Sequence, residues 1–385
     1  MSDKTSIKKS ILIVAGEMSG DQHASKVMAA MLRHSPDIKF WGLGGEQMLA
    51  VGMEQLYSVD RLSVTGFVEV IKHLSFFKEV MNAVVSRCER EKPDAAILLD
   101  YPGFNMRLGK KLHAMGIPVY YYISPQVWAW RSGRIDTIRK FVRKMFVIFP
   151  FEEKIYTERG VPAEFVGHPL VEELPDLMSK AAFFQENDLD PDRPLVGILP
   201  GSRSNEVSRL LPPLVDAVTI VNGTLPEVQF AVAKVKHLPD SLYAQLENFP
   251  DVRVISDHPY EIMAYSDAAI VASGTATLET AVLGTPLVVI YKVSPLSYLL
   301  ARLLVEVDHI AMPNLVYGDR VVPELLQNQA NGPAIASWIL TYLTDDQYTA
   351  GVKTKLHTIR EKLGDPGGAE RIAISILNDL GATLH

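Results

Sequence analysis

The chain has 385 residues, and 38 Lys and Arg against 45 Asp and Glu leave a net charge of −7. Hydrophobic residues make up 48% and charged residues 22%, which excludes a disordered chain, while the acidic balance speaks against a nucleic-acid binder. The single cysteine, Cys88, excludes an internal disulfide and fits a reducing compartment.

At about 150 residues per domain the length favours two domains, and the pattern along the chain agrees. Strands are expected at 11–15, 39–43, 95–99, 119–123 and 145–149, with helices at 21–33, 67–89 and 105–114 between them. The rhythm then repeats, with strands at 195–199, 229–233, 252–255, 268–271 and 287–290 and helices at 206–221 and 276–283. Short runs apolar on both faces, alternating with helices, mean parallel sheets covered by helices. Two such sets give an α/β fold of two doubly wound, Rossmann-like domains facing a central cleft. The expected domains are 1–168 and 169–365, joined through a stretch rich in Pro and acidic residues. A helical tail over 345–380 breaks at Gly364-Asp365-Pro366-Gly367-Gly368, and its last part, 366–385, is expected to pack back on the first domain.

In open α/β sheets ligands bind beyond the carboxyl ends of the strands, so the loops that follow strands are the candidates. Gly16-Glu17-Met18-Ser19-Gly20-Asp21 follows the first strand. It is neither the dinucleotide fingerprint nor a P-loop. It reads either as a cleft wall with Ser19 and Gly20 near substrate, or as a tight turn capped by Asp21 or Ser19. Asp100 ends the run Ala-Ala-Ile-Leu-Leu, where a general base would sit; capping the following Pro-Gly turn is the alternative. Ser124-Pro125-Gln126-Val127-Trp128-Ala129-Trp130-Arg131 holds two of four tryptophans, which line a sugar or nucleotide pocket or anchor a core; Gln126 is its substrate-binding candidate. Pro200-Gly201-Ser202-Arg203 opens a helix, where free amides, the helix dipole and a planar cation suit a diphosphate. Ser273-Gly274-Thr275-Ala276 opens another, with Glu279 one turn on to accept from ribose hydroxyls. Two anion loops in one domain point to a nucleoside diphosphate.

No His/Cys cluster has metal-ligand spacing, and Asp188, Asp190 and Asp192 read as a solvated turn; neither a metal nor a cofactor is expected. Mean hydropathy is +0.10, yet no run approaches the ~18 apolar residues of a membrane span, and the opening stretch is too short for a signal peptide. A cytoplasmic protein is expected. In 64–85 a core stripe of Phe67, Ile71, Leu74, Met81 and Val85 leaves Val68 and Phe76 off the stripe, so the helix is buried on two sides or lies in a membrane interface. The segment 131–144 carries Arg131, Arg134, Arg139, Lys140, Arg143 and Lys144 against only Asp136. It is a solvated helix face or an attractor of anionic headgroups.

The strings Val14–Asp21 and Ser124–Arg131, with Leu199-Pro200-Gly201-Ser202-Arg203, Ala272–Glu279 and Met312-Pro313-Asn314-Leu315, resemble those of lipid-A-disaccharide synthases, in the same order over nearly the whole chain. The Ser-Pro-x-Val-Trp-Ala-Trp-Arg string is the most specific. The resemblance implies a glycosyltransferase with two Rossmann-like domains, of GT-B type. It implies transfer of 2,3-diacylglucosamine from UDP-2,3-diacylglucosamine to 2,3-diacylglucosamine 1-phosphate, giving the β(1→6)-linked disaccharide 1-phosphate and UDP. It implies Asp100, Arg203 and Asn314 as catalytic residues. Ser19, Gly20, Gln126, Gly201, Ser202, Arg203, Ser273, Gly274, Thr275, Ala276 and Glu279 are then the substrate-binding set. Acylated substrates shift the expectation for 64–85 toward a membrane-surface helix, supported by 131–144, on the inner face of the cytoplasmic membrane, with a monomer or homodimer. Met18 and Tyr101-Pro102-Gly103 depart from some relatives beside the site and bear on acceptor contacts. Another UDP-sugar enzyme of the same fold (an epimerase or a peptidoglycan-lipid glycosyltransferase) and a non-enzymatic UDP-binding regulator are the alternatives.

Overall fold

A computed structural model describes residues 9–59, 67–125, 133–293 and 309–382, with the backbone alone over 67–74. The chain divides into two compact units, Met1–Glu172 with Gly364–His385, and Glu173–Leu363.

The first unit is built on seven parallel strands: β1 (Ser10–Val14), β2 (Lys39–Gly44), β3 (Glu54–Ser58), β4 (Ala95–Leu99), β5 (Val119–Tyr122), β6 (Lys144–Val147) and β7 (Ala163–Phe165). Their order is β3-β2-β1-β4-β5-β6-β7. The second has six, β8 (Leu195–Leu199), β9 (Gln229–Ala233), β10 (Val252–Ile255), β11 (Ala268–Ala272), β12 (Leu287–Tyr291) and β13 (Glu324–Leu326), in the order β10-β9-β8-β11-β12-β13. All described strand pairs are parallel. The central strands β1, β4, β8 and β11 are apolar and buried nearly throughout, as a sheet covered on both faces requires.

The pattern reading expected about five strands in each half. The three additional ones, β3, β7 and β13, are all sheet edges. Their sequences, Glu-Gln-Leu-Tyr-Ser, Ala-Glu-Phe and Glu-Leu-Leu, are mostly half-buried. An edge strand exposed to water carries no apolar run to be recognised.

The units divide between Glu172 and Glu173 rather than at 168/169. Residues 170–172 of helix Leu170–Glu173 stay with the first unit, where the Glu172 carboxylate accepts from the Gly367 amide and, at 3.0 Å, from that of Gly368. Those glycines open the last helix, Gly368–Asp379, whose Ile372, Ala373, Ile376 and Leu377 join Ile11, Val27 and Phe146 in the first unit's core. Asp379 fastens its far end. It accepts from Arg143 Nε and Nη2, both at 2.6 Å, and from the Tyr120 hydroxyl. Chiefly through the Arg143 guanidinium, its carboxyl is pulled down to about 2.

Two expected surface features are thereby altered. Within the basic segment, Arg143 belongs to Asp379 and Lys144 pairs with Glu164 at 3.0 Å, so neither is a free headgroup ligand; Arg131 lies outside the described residues. On helix Phe67–Glu91, Val80, Met81, Val84 and Cys88 are buried. Phe76, expected off the core face, packs against that core, edge-on to Tyr57 with ring centroids 5.9 Å apart. Residues 64–66 and the side chain of Val68 lie outside what is described. Among the described residues no helix is long and apolar enough to cross a membrane.

Candidate active site

Each sheet reverses its strand order once at the centre, between β1 and β4 and between β8 and β11. In doubly wound folds ligands bind at such reversals, and both pairs of expected loops lie there.

In the first unit the loop after β1 meets the turn after β4. A Cβ on Gly16 would fall 2.2 Å from Tyr101 Cγ, so the Tyr101 ring lies where any other residue's side chain would begin. Ser19 is exposed. Gly20 is buried, and a Cβ there would sit 3.3 Å from that of Ala15, which makes it a packing glycine of the helix Met18–His34. Asp21 is also buried, and it caps a different helix from its own. Its carboxylate accepts from the amides of Gly45, Gln47 and Met48 at 2.6, 3.0 and 3.2 Å, at the start of helix Glu46–Ala50.

Asp100 and Tyr101 are both left-handed, with φ of +41° and +46°. Two consecutive non-glycine residues in that region cost of order 1–3 kcal/mol each and persist only where the surroundings fix them. Here they do. The Asp100 carbonyl accepts from Asn105 Nδ2 at 2.8 Å and from the Tyr121 hydroxyl at 2.5 Å, while Asn105 Nδ2 also reaches the Leu99 carbonyl at 2.9 Å. The Asp100 amide pairs with the Tyr122 carbonyl at 3.0 Å. Burial, followed by the Glu17 carboxylate, holds the Asp100 carboxyl above the usual aspartate range. A carboxylate made more basic is what proton abstraction asks for. Sequence reasoning missed Tyr121 and Asn105, because their role is to hold a carbonyl rather than to meet a ligand.

In the second unit the loops after β8, β9, β10 and β11 enclose a pocket of about 670 Å³. It brings together Gly201, Ser202 and Arg203 with Ser273, Gly274, Thr275 and Ala276, all of them expected site residues. Helices Ser204–Thr224 and Thr275–Val282 start at its wall, and helix starts offer amides to anions, although those of Glu206 and Thr277 already donate to the Arg203 and Gly274 carbonyls at 2.9 and 3.1 Å. Ser273 contributes its side chain only, since its amide already donates to the Ile290 carbonyl at 2.9 Å. Sequence reasoning missed Lys234, Lys236 and His237, which line it from the loop after β9, with Lys234 paired to Asp240 and Lys236 to Asp257 at 2.5 Å; their signal was a basic Lys-Val-Lys-His string at a strand's carboxyl end. One anion already sits at the helix start. Glu206 accepts from the Ser202 amide at 3.3 Å, and a Cβ on Gly201 would fall 2.2 Å from Glu206 Oε2. Gly201, with φ of +108°, is thus required both for the turn and for this approach.

Glu279 lies one turn into its helix, with Tyr260 donating to its Oε1 at 2.9 Å. Burial raises its carboxyl, an effect that hydrogen bond partly offsets. Asn314 is fully buried with both ends of its amide engaged. Its Nδ2 donates to the Val322 carbonyl and Glu324 Oε1 at 2.9 and 2.7 Å, and its Oδ1 accepts from the amides of Val321 and Val322 at 2.8 and 3.0 Å. Its side chain thereby ties the loop 320–324 to helix Met312–Tyr317. Gln126, Trp128, Trp130 and Arg131 lie outside the described residues. Among the described residues no group of three or more His, Cys, Asp or Glu is gathered as a metal site. Asp188 pairs with Arg253 at 2.8 Å, and Asp190 accepts from the Asp192 amide at 2.9 Å.

Two Rossmann-like units, one with an acidic turn and the other with a cationic, amide-rich pocket at its switch point, define the class of GT-B glycosyltransferases and related epimerases. Solved structures support the fold. A UDP-GlcNAc 2-epimerase from Neisseria meningitidis bound to UDP-GlcNAc matches with a TM-score of 0.64 at 13% identity, over 96% of this chain and 100% of its own. CalG4, the calicheamicin glycosyltransferase, matches with 0.60 at 16%, over 97% and 98%. Residues 11–368 match the family described as lipid-A-disaccharide synthetase. The lipid-A-disaccharide synthase of Syntrophus aciditrophicus is 44% identical over 372 residues, 96% of this chain and 97% of that protein. The chain belongs to the lipid-A-disaccharide synthetase family.

Proposed function

We propose that this chain is an inverting, UDP-sugar-dependent glycosyltransferase. It transfers 2,3-diacylglucosamine from its UDP ester to the 6-hydroxyl of 2,3-diacylglucosamine 1-phosphate. The pocket of about 670 Å³ in the second unit carries this reading, because it gathers a planar cation, two lysines and two helix starts around one space. That chemistry fits a diphosphate. Arg203 and the first-turn amides of Gly274 to Ala276 hold it and take up charge as UDP leaves, joined by Lys234 and Lys236 as these exchange Asp240 and Asp257 for phosphate. Glu206 gives up its place at the Ser202 amide, and Glu279, positioned by Tyr260, accepts from the ribose.

Asp100 is the base. As the acceptor oxygen attacks the anomeric carbon, the bond from that carbon to the β-phosphate oxygen breaks, its electron pair leaves with UDP, and the hydroxyl proton passes to Asp100. A UDP-α-sugar giving a β-linked product implies one displacement with inversion. Asp100 is held ready by its left-handed turn and by Tyr121 and Asn105. Association with a membrane surface follows from the acylated substrates, with the cytoplasmic face as the place of reaction.

The test is UDP release by the full chain, with and without acceptor, together with the anomeric coupling of the product by NMR. Acceptor-dependent release and a β-linked disaccharide are expected. Release without acceptor would favour an epimerase or hydrolase, and UDP binding without any release a regulator.

A further inference from the structure

Between helices Phe67–Glu91 and Pro102–Ala114 of the first unit lies a second cavity, of about 450 Å³. Phe77, Met81, Tyr101 and Phe104 form its apolar wall. The rings are in contact, with centroids 6.3 Å apart for Phe77 and Tyr101 and 6.0 Å for Tyr101 and Phe104. Lys78, Arg107 and Lys111 also line it, and all three are exposed. Among the described residues none of these cations has an ion-pair partner. An apolar wall with a cationic rim is the complement of an acyl chain attached to an anionic head.

We propose that this cavity binds one acyl chain of the acceptor, and that Lys78, Arg107 and Lys111 hold the acceptor's 1-phosphate; the inference rests on the reaction proposed above. The wall fixes which substrate it serves. Tyr101 directly follows Asp100 in the left-handed turn, and its ring is pressed against Gly16. The residue that removes the acceptor's proton and the ring that packs on its chain are therefore set by one rigid turn. Burying the chain there orients the sugar's hydroxyl toward Asp100, and the guanidinium of Arg107 suits a phosphate bidentately. Specificity for acylated acceptors then comes from the same turn as the chemistry. Burial of the Tyr101 phenol, followed by the Glu17 carboxylate, lifts its titration to about 12, so the ring stays neutral beside the chain.

Gly103 allows a test that spares the fold. It lines the cavity, its φ is not positive, and a Cβ added to it meets nothing within 4 Å. Gly103→Leu fills the space without straining the backbone. Binding of dilauroyl- and dibutyryl-glucosamine 1-phosphate to the full-length protein is measured by calorimetry, which needs no turnover, with circular dichroism as the fold check. A leucine that displaces two methylenes should weaken the lauroyl acceptor about fifteenfold, at about fourfold each, and leave the butyryl acceptor unchanged. Arg107→Gln should weaken both by about tenfold and leave their 1-dephospho analogues unchanged. Equal affinity of native and Gly103→Leu protein for the lauroyl acceptor overturns the proposal, as does equal weakening for both chain lengths. Phosphatidylglycerol that binds the native protein but not Gly103→Leu, without competing with the lauroyl acceptor, also overturns it, in favour of a membrane lipid. Absence of UDP release in native protein that binds the acceptor as described would count against the reaction and not against the cavity.

Discussion

The two switch points share a topology and differ in almost everything else. In the first unit the chain turns through two strained residues, Asp100 and Tyr101, and the strain is held by Tyr121, Asn105 and the bare face of Gly16. In the second it turns through Gly201 and the small residues 273–276, and cations collect around the opening. The first arrangement raises a carboxyl's basicity; the second lowers the cost of gathering phosphates. One architecture thus presents a raised carboxyl on one unit and a cationic, amide-rich pocket on the other, which the proposed reaction uses as base and diphosphate cradle, and the difference resides in loops of a few residues. This division of labour predicts that damage at the two points differs in kind.

The largest effect is expected at Asp100. Asp100→Asn should lower turnover by about 10² to 10⁴-fold with UDP affinity unchanged, and near-normal turnover would remove Asp100 as the base. In the native enzyme the base must be ionised. Because burial and Glu17 raise its carboxyl, kcat/KM should climb with pH through a higher point than an ordinary aspartate gives. Next comes Arg203→Met, which should cost about 10² to 10³-fold in turnover and, unlike Asp100→Asn, should weaken UDP in an equilibrium titration. A UDP affinity matching the native value would take the diphosphate away from Arg203.

Gly16→Ala perturbs the turn of the first unit. Its methyl would displace the Tyr101 ring, destabilising the fold by about 1–3 kcal/mol. Turnover should fall by up to about a hundredfold through misplacement of Asp100. Tyr101→Ala in the same chain relieves the clash, so the two stability losses should be less than additive; strict additivity would separate Gly16 from the turn. The smallest effect lies away from both sites. Asp379→Asn should cost about 1 kcal/mol at pH 7, a value discounted for the half-exposed Arg143 partner. Because folding lowers the carboxyl from 3.8 to about 2, its contribution is complete above pH 3.8 and fades as pH falls toward 2. Thermal melts of the two proteins should converge there.

Much of this was legible in the chain. Central strands buried on both faces must be apolar, so β1, β4, β8 and β11 stand out, and with them the loops they feed. The edges did not stand out, because half-buried strands such as Glu-Gln-Leu-Tyr-Ser carry no distinctive pattern. Asp100 was readable as an acid at a strand's end. The left-handed turn that presents it was not, since its cause is a carbonyl held by residues from β5 and the next helix. Asn314 was readable as a polar residue in a family string, but the four hydrogen bonds that tie its side chain to residues 321, 322 and 324 were not, because they depend on how that loop folds back. Gly16, read as part of a substrate loop, is explained by the ring that lies against it.

The proposed reaction places nucleotide chemistry in the second unit and proton chemistry in the first. Amide hydrogen exchange of the full chain, with and without saturating UDP, tests this most directly. Slowed exchange at 201–206, 233–237 and 274–277, with 16–20 and 100–105 unchanged, is the predicted result. Protection at 16–20 and 100–105 with none in the second unit's loops would contradict it.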